Sequence, residues 1–242
     1  MKKKLFQTLL VLLAVFIALP ASSQKDNVLS RKEKKEGWFL LFNGKDFKGW
    51  RMCNSLEMAK NWVIEDNAMK VFTDPDLKPS GDILYGARKF ENFELSIEWK
   101  ASKGANSGIF YNIREMPGQP IYASAPEIQV LDNEFGGDRH DPTHRAGSLY
   151  DMIPCDPSTV KPYDNWNLTV VRVKDGHVTH FMNGVKVVEY TLWTPEWDQM
   201  VAKSKFRDWE GFTQGIAKEG YIGLQDHGNV VWFKNVKIRE LK

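Results

Sequence analysis

The chain reads as an all-β protein, a two-layer sandwich of antiparallel sheets with one short helix, and three observations predict it. Turn pairs that tolerate positive φ, Asp66-Asn67, Asp175-Gly176 and Asn183-Gly184, each separate two strand-like runs, which is the signature of a hairpin. Phe93, Leu95, Ile97 and Trp99 alternate with Asn92, Glu94, Ser96, Glu98 and Lys100, a period of two that buries one face and wets the other. Helical period is almost absent, so strand must pack on strand, and two layers are the natural result.

The elements follow in order. Met1-Lys2-Lys3-Lys4, an apolar run from Leu9 to Leu19 and small residues at Ala21 and Ser23 make a secretory signal peptide over 1–23, cleaved after Ser23. The run is too short for the roughly 20 residues that a membrane anchor requires, and no later stretch is apolar enough to span a bilayer. Residues 24–36 are a charged, solvated leader or short helix. One domain occupies 37–242, starting at Trp38-Phe39-Leu40-Leu41-Phe42 and the turn Asn43-Gly44. Trp62 to Glu65 and Ala68 to Phe72 form a hairpin about Asp66-Asn67, and a meander runs from Trp166 to Tyr190. Thr194 caps a short helix with Pro195 in its first turn, ending near Lys205-Phe206. Two more strands flank His227-Gly228-Asn229. Trp99 and Trp232 are read as core.

Composition excludes some functions. The formal net charge of +2 includes signal-peptide lysines, so the mature chain lacks the basic excess of a nucleic-acid binder. The two cysteines, Cys53 and Cys155, cannot form a disulfide framework; export would permit one bridge, and two free thiols are the alternative. Neither has metal-binding spacing.

Chemistry gathers in two places. In Glu127-Ile128-Gln129-Val130-Leu131-Asp132, Ile128 and Val130 enter a core while Glu127, Gln129 and Asp132 line one polar surface. Leu224-Gln225-Asp226-His227-Gly228 places acid, amide and imidazole at the end of another strand. Elsewhere the bland reading competes. Glu94 and Glu98 make a carboxylate pair or, more simply, a wet sheet face. In Ser107 to Arg114, Ile109, Tyr111 and Ile113 share one face and Phe110, Asn112 and Arg114 the other, so that Arg114 grips a sugar or makes a surface ion pair. The loop from Asn133 to Gly147 holds Asp138, His140, Asp141 and His144, donors that suit a divalent metal, although Pro142 and the glycines deny them helical spacing. No cofactor is otherwise indicated.

In order along the chain, Trp38-Phe39-Leu40-Leu41-Phe42-Asn43-Gly44, Gly49-Trp50, Ser107-Gly108-Ile109-Phe110, Glu127 to Asp132, Trp166-Asn167, Asn183-Gly184 and Gly223 to Gly228 resemble the 3-keto-disaccharide hydrolase domain family, from about Gly37 to Leu241. The resemblance implies a concanavalin-like jelly roll, an exported (periplasmic or secreted) location, and a carbohydrate substrate oxidised at carbon 3. A ketone there acidifies the proton on carbon 2. A base removes that proton, the glycosidic oxygen leaves carbon 1, and water adds back, so the site needs a base, an oxyanion stabiliser and an acid. The matched motifs then make Glu127 and His227 the acid/base pair. Gln129, Asp132 and Asp226 orient them or bind hydroxyls, with Arg114, His144, Tyr150 and Lys205 as further contacts to the enediolate or leaving group. Two other functions fit such a sandwich: a glycan-binding module that performs no chemistry, and a glycosidase working through paired carboxylates.

Overall fold

The computed structural model describes residues 25–78 and 80–242; the signal segment expected over 1–23 lies outside them. Two antiparallel sheets form the molecule. The larger has eight strands: β11 (Val185–Thr191), β10 (His177–Met182), β9 (Asn167–Lys174), β6 (Phe93–Ala101), β13 (Val231–Glu240), β4 (Ala68–Val71) and β3 (Trp62–Glu65) lie side by side, with β1 (Phe39–Leu40) also paired to β13. The smaller runs β2 (Trp50–Met52), β5 (Ile83–Tyr85), β12 (Tyr221–Leu224), β7 (Asn106–Ile113) and β8 (Glu127–Leu131). This is the all-β sandwich the alternation predicts.

The turn pairs act as expected. Asp66 and Asn67 (φ 50° and 61°), Asp175-Gly176 (50° and 81°) and Asn183-Gly184 (50° and 87°) all adopt the left-handed backbone that closes two-residue hairpins. Between the sheets, Phe93, Leu95, Ile97 and Trp99 of β6 are each at most 1% exposed, and Phe93 meets Tyr111 of β7 edge to face at 6.4 Å. On the outer face of β6, Glu94 takes Arg172 and Arg239 and Glu98 takes Asn235, so these two acids serve the sheet surface.

The structure corrects several expectations. Asn112 has φ 55°, held there by its side-chain amide, which donates to the carbonyls of Ala217 and Lys218. This left-handed residue breaks the alternation of β7. Ile113 therefore leaves the central core and joins Phe110, Leu84 and Ile121 in a smaller apolar cluster. Trp232 does not fill the core: it lies on the outer face, its Nε1 donating to Glu65 and its ring under Lys70 and Lys100. The leader is docked rather than merely solvated. Ser30 and Glu33 close a capping box on α1 (Arg31–Lys35), Glu33 pairs with Lys237, and Asn27 exchanges hydrogen bonds with Asn235. Cys53 and Cys155 are both free, and burial pushes the Cys53 thiol up to about 12. The helix capped by Thr194, α2 (Pro195–Lys203), gives way at Lys205 to a 3-10 turn and then a third short helix, α3 (Glu210–Thr213).

Candidate functional site

The outer face of the five-stranded sheet carries a cavity of about 570 Å³, and the strand register explains its floor. Glu127 is paired with Phe110 and Gln129 with Gly108, so both side chains stand on the face opposite the central core, where cross-strand partners share a side. Gln225, just beyond β12, donates its backbone N–H to the Gly108 carbonyl and joins the same floor. The outer edge of β8 is not bare. The backbone from Gly147 to Tyr150 bonds to Gln129 and Glu127, fixing the strand from both sides.

Glu127 is 7% exposed, and its carboxyl accepts no hydrogen bond from a described residue. Burial pushes it up to about 8; Lys205 opposes the shift, while the charges of Asp82 and Asp138 add to it. Around it stand amides with unused capacity: both polar atoms of Gln129, Oδ1 of Asn106 and Oε1 of Gln225 are buried with no partner. Unpaired buried amides cost free energy, so four such atoms at one cavity fit a hydroxyl-rich ligand that completes them.

The walls come from loops. Asp138 accepts from the Asn106 amide at 3.0 Å. Lys205 lies with Nζ 4.0 Å from the centre of the Tyr150 ring, a cation held over an aromatic face. Burial, then the charges of Asp138 and Glu127, raises the Tyr150 phenol, so it remains a hydrogen-bond donor through the neutral range. Opposite, Tyr122 and Trp209 meet at 5.7 Å. A side chain on Gly211 would overlap the Ala123 carbonyl, so glycine lets α3 close against the 3-10 turn Ile121–Ala123 and brings these rings together.

His227 lines the same cavity at its exposed rim, so the structure brings Glu127, Gln129, Tyr150, Lys205, Asp226 and His227 into one hollow. Asp226 does so with both oxygens engaged, accepting from the Asn61 amide at 2.7 Å and from the Gly228 N–H at 3.0 Å, and its own N–H donates to Asp82. It secures the turn that carries His227.

The other three expected residues stand elsewhere. Asp132 falls out of step with Glu127 and Gln129, and its two oxygens are taken by the N–H groups of Gly104 and Glu134, so it holds a turn. Arg114 lies past the Asn112 bulge and outside the cavity lining. His144 sits behind Tyr150, stacked on it at 4.3 Å, with Nε2 2.9 Å from Asp151 Oδ1. Of the loop residues considered for a metal, Asp138 turns into the cavity and Asp141 caps Thr143; among the described residues no three His, Cys, Asp or Glu gather closely enough to hold an ion. Sequence reasoning missed Asn106, Tyr122, Phe206 and Trp209. Only the aromatic clustering in Phe206–Trp209 hints at any of them, and it has no periodic signal.

A carbohydrate-binding module from Bacillus subtilis superposes over 79% of this chain and 96% of its own (TM-score 0.50, 11% identity), a likeness of fold alone. A solved structure from Parabacteroides distasonis ATCC 8503, assigned provisionally to the glycosyl hydrolases, covers 90% of this chain and 100% of its own with TM-score 0.80 and 34% identity. A protein of Bacteroides thetaiotaomicron named 3-keto-disaccharide hydrolase is 40% identical over 233 residues, 85% of this chain and 79% of that one. Fold, cavity and relatives together define a carbohydrate-active enzyme. Residues 37–239 match the model of the 3-keto-alpha-glucoside-1,2-lyase-like domain, and the chain belongs to that family.

Proposed function

We propose that the protein cleaves glycosides bearing a ketone at carbon 3, by elimination across carbons 2 and 1 followed by hydration, and that it does so after export through the signal segment at 1–23. The observation that carries the reading is Glu127: a buried, unpartnered carboxyl raised to about 8 at the floor of a cavity lined by orphaned amides. A carboxylate with so high a proton affinity is a better base toward carbon acids than an ordinary one, and burial keeps water from competing. Glu127 takes the carbon-2 proton. The ketone oxygen gathers the negative charge and is met by the Lys205 ammonium and the Tyr150 hydroxyl, which lie together at the wall. His227, on the rim, delivers a proton to the departing oxygen at carbon 1. Water then adds to the resulting enone-type product, so the net change is hydrolysis. Gln129, Gln225 and Asn106 hold the ring hydroxyls, and Tyr122 and Trp209 offer it an apolar face.

The test is turnover of a 3-keto-glucoside in heavy water. Wild-type enzyme should release the aglycone with deuterium entering at carbon 2, and Glu127→Gln should lose both release and exchange. Cleavage without deuterium at carbon 2, or wild-type rates from Glu127→Gln, rejects the mechanism.

A further inference from the structure

A second cavity, of about 580 Å³, adjoins the first, and two residues, Tyr122 and Asp226, line both. The seam between them runs past Asp226 and so beside His227, where the glycosidic oxygen departs in the proposed reaction. Whatever is attached at carbon 1 must leave on that side. The walls of the second cavity say what it accepts. They include Asp82, Asp226, Asn54, Gln119 and Ser80, and one cation stands beside them, Lys78, whose ammonium donates to the Ser80 hydroxyl at 3.3 Å. Asp82 is fixed in place: its Oδ1 accepts the Asp226 N–H at 2.9 Å, and burial raises it to about 6.

On the proposed reaction, we infer that the cavity bounded by Asp82, Asp226 and Tyr122 is the leaving-group subsite, built for a neutral or amino-substituted sugar and against anionic leaving groups. Two carboxylates against the single Lys78 ammonium leave the cavity net negative, so it disfavours a uronate or sulfated sugar, whereas the carboxylates accept hydrogen bonds from hydroxyl or ammonium groups. Tyr122, standing between the cavities, supplies a ring to both sugars.

Two variants separate this subsite from the chemistry. Ser80→Trp fills the cavity mouth without altering charge. Asp82→Asn removes one carboxylate while keeping its size; because the Asp82 charge also raises Glu127, its effect is read as the ratio of its rates on two substrates. Ser80→Trp should lower kcat/KM at least tenfold on a 3-keto disaccharide with a neutral second sugar and stay within twofold of wild type on a 3-keto nitrophenyl glucoside, whose small aglycone does not reach this cavity, and Asp82→Asn should lose at least tenfold more on the disaccharide than on the nitrophenyl glucoside. Wild type should disfavour a disaccharide whose second unit is a uronate, and Asp82→Asn should narrow that preference. Equal losses on both substrates, or no loss on the disaccharide from either variant, overturn the subsite. Titration calorimetry of the unreacted disaccharide on Glu127→Gln reads it without turnover: binding should weaken about tenfold when Ser80→Trp is added, and unchanged binding overturns it. If wild type cleaves neither 3-keto substrate, the reaction falls, and this binding comparison alone decides the subsite.

Discussion

The carboxyl of Glu127 occupies the space that a side chain on Gly108 would fill. A Cβ built there lies 3.0 Å from Glu127 Cδ and 2.8 Å from the Phe110 ring, closer than such contacts allow. The glycine is therefore part of the site although it offers no functional group, since it allows a buried carboxyl to lie flat across β7. Gly108→Ala should push the carboxyl aside and reduce kcat/KM by about a hundredfold, the scale of loss from a displacement of roughly 1 Å. Overpacking should cost about 1–3 kcal/mol of stability. Steady-state kinetics and a thermal melt check both; full activity would show that Glu127 does not need this position.

Glu127 also ties stability to pH. Its carboxyl is raised from 4.5 to about 8 because burial disfavours the charged form, so the folded state holds its proton more tightly than the unfolded chain does. The stabilisation this brings is complete below 4.5 and is lost as pH rises through about 8. Glu127→Gln has no such proton to lose. Between those two pH values the variant should gain on wild type by a few kcal/mol, on the order of 1 kcal/mol for each step of one in pH. Denaturant melts at a series of pH values measure the gap, and a constant difference would mean that the carboxyl is not desolvated. In the enzyme, the acid limb of kcat/KM should rise toward about 8, as it does when the ionised carboxylate is the base.

Trp99 and Trp232 look alike as residues of alternating strands, yet they belong to opposite sides of one sheet. Trp99 is 1% exposed and donates to Thr169 Oγ1 at 2.8 Å, whereas Trp232 lies outside between two lysines. Trp99→Ala should cost about 3–5 kcal/mol through the cavity it leaves, and Trp232→Ala no more than about 1 kcal/mol. Chemical denaturation of the two variants gives the comparison.

That contrast marks what the sequence made legible. Hairpins at Asp66-Asn67, Asp175-Gly176 and Asn183-Gly184 were readable because turn chemistry is local, and so was the buried face of β6. Glu127 and Gln129 were readable from strand parity and motif. Asp132 was not, because parity ends with the strand, and Arg114 was not, because one left-handed Asn112 reverses the faces beyond it. Asn106, Tyr122 and Trp209 come from three segments that meet only through tertiary packing, and no local pattern announces a meeting of that kind.

Asp151 joins two walls of the site from behind. One carboxylate oxygen binds His144 Nε2 at 2.9 Å and the other accepts the Lys205 backbone N–H at 2.6 Å. His144 in turn stacks on Tyr150, whose other face lies under the Lys205 ammonium at 4.0 Å. A single side chain thus sets the spacing of the two groups assigned to the developing oxyanion. Asp151→Asn keeps the volume and weakens both bonds, so the cation and phenol should loosen while the amide floor stays in place. The expected result is a kcat about tenfold lower with KM within twofold, and a pH profile that still rises toward about 8, since Glu127 is untouched. A rise in KM with kcat preserved would instead place Tyr150 and Lys205 in ground-state binding.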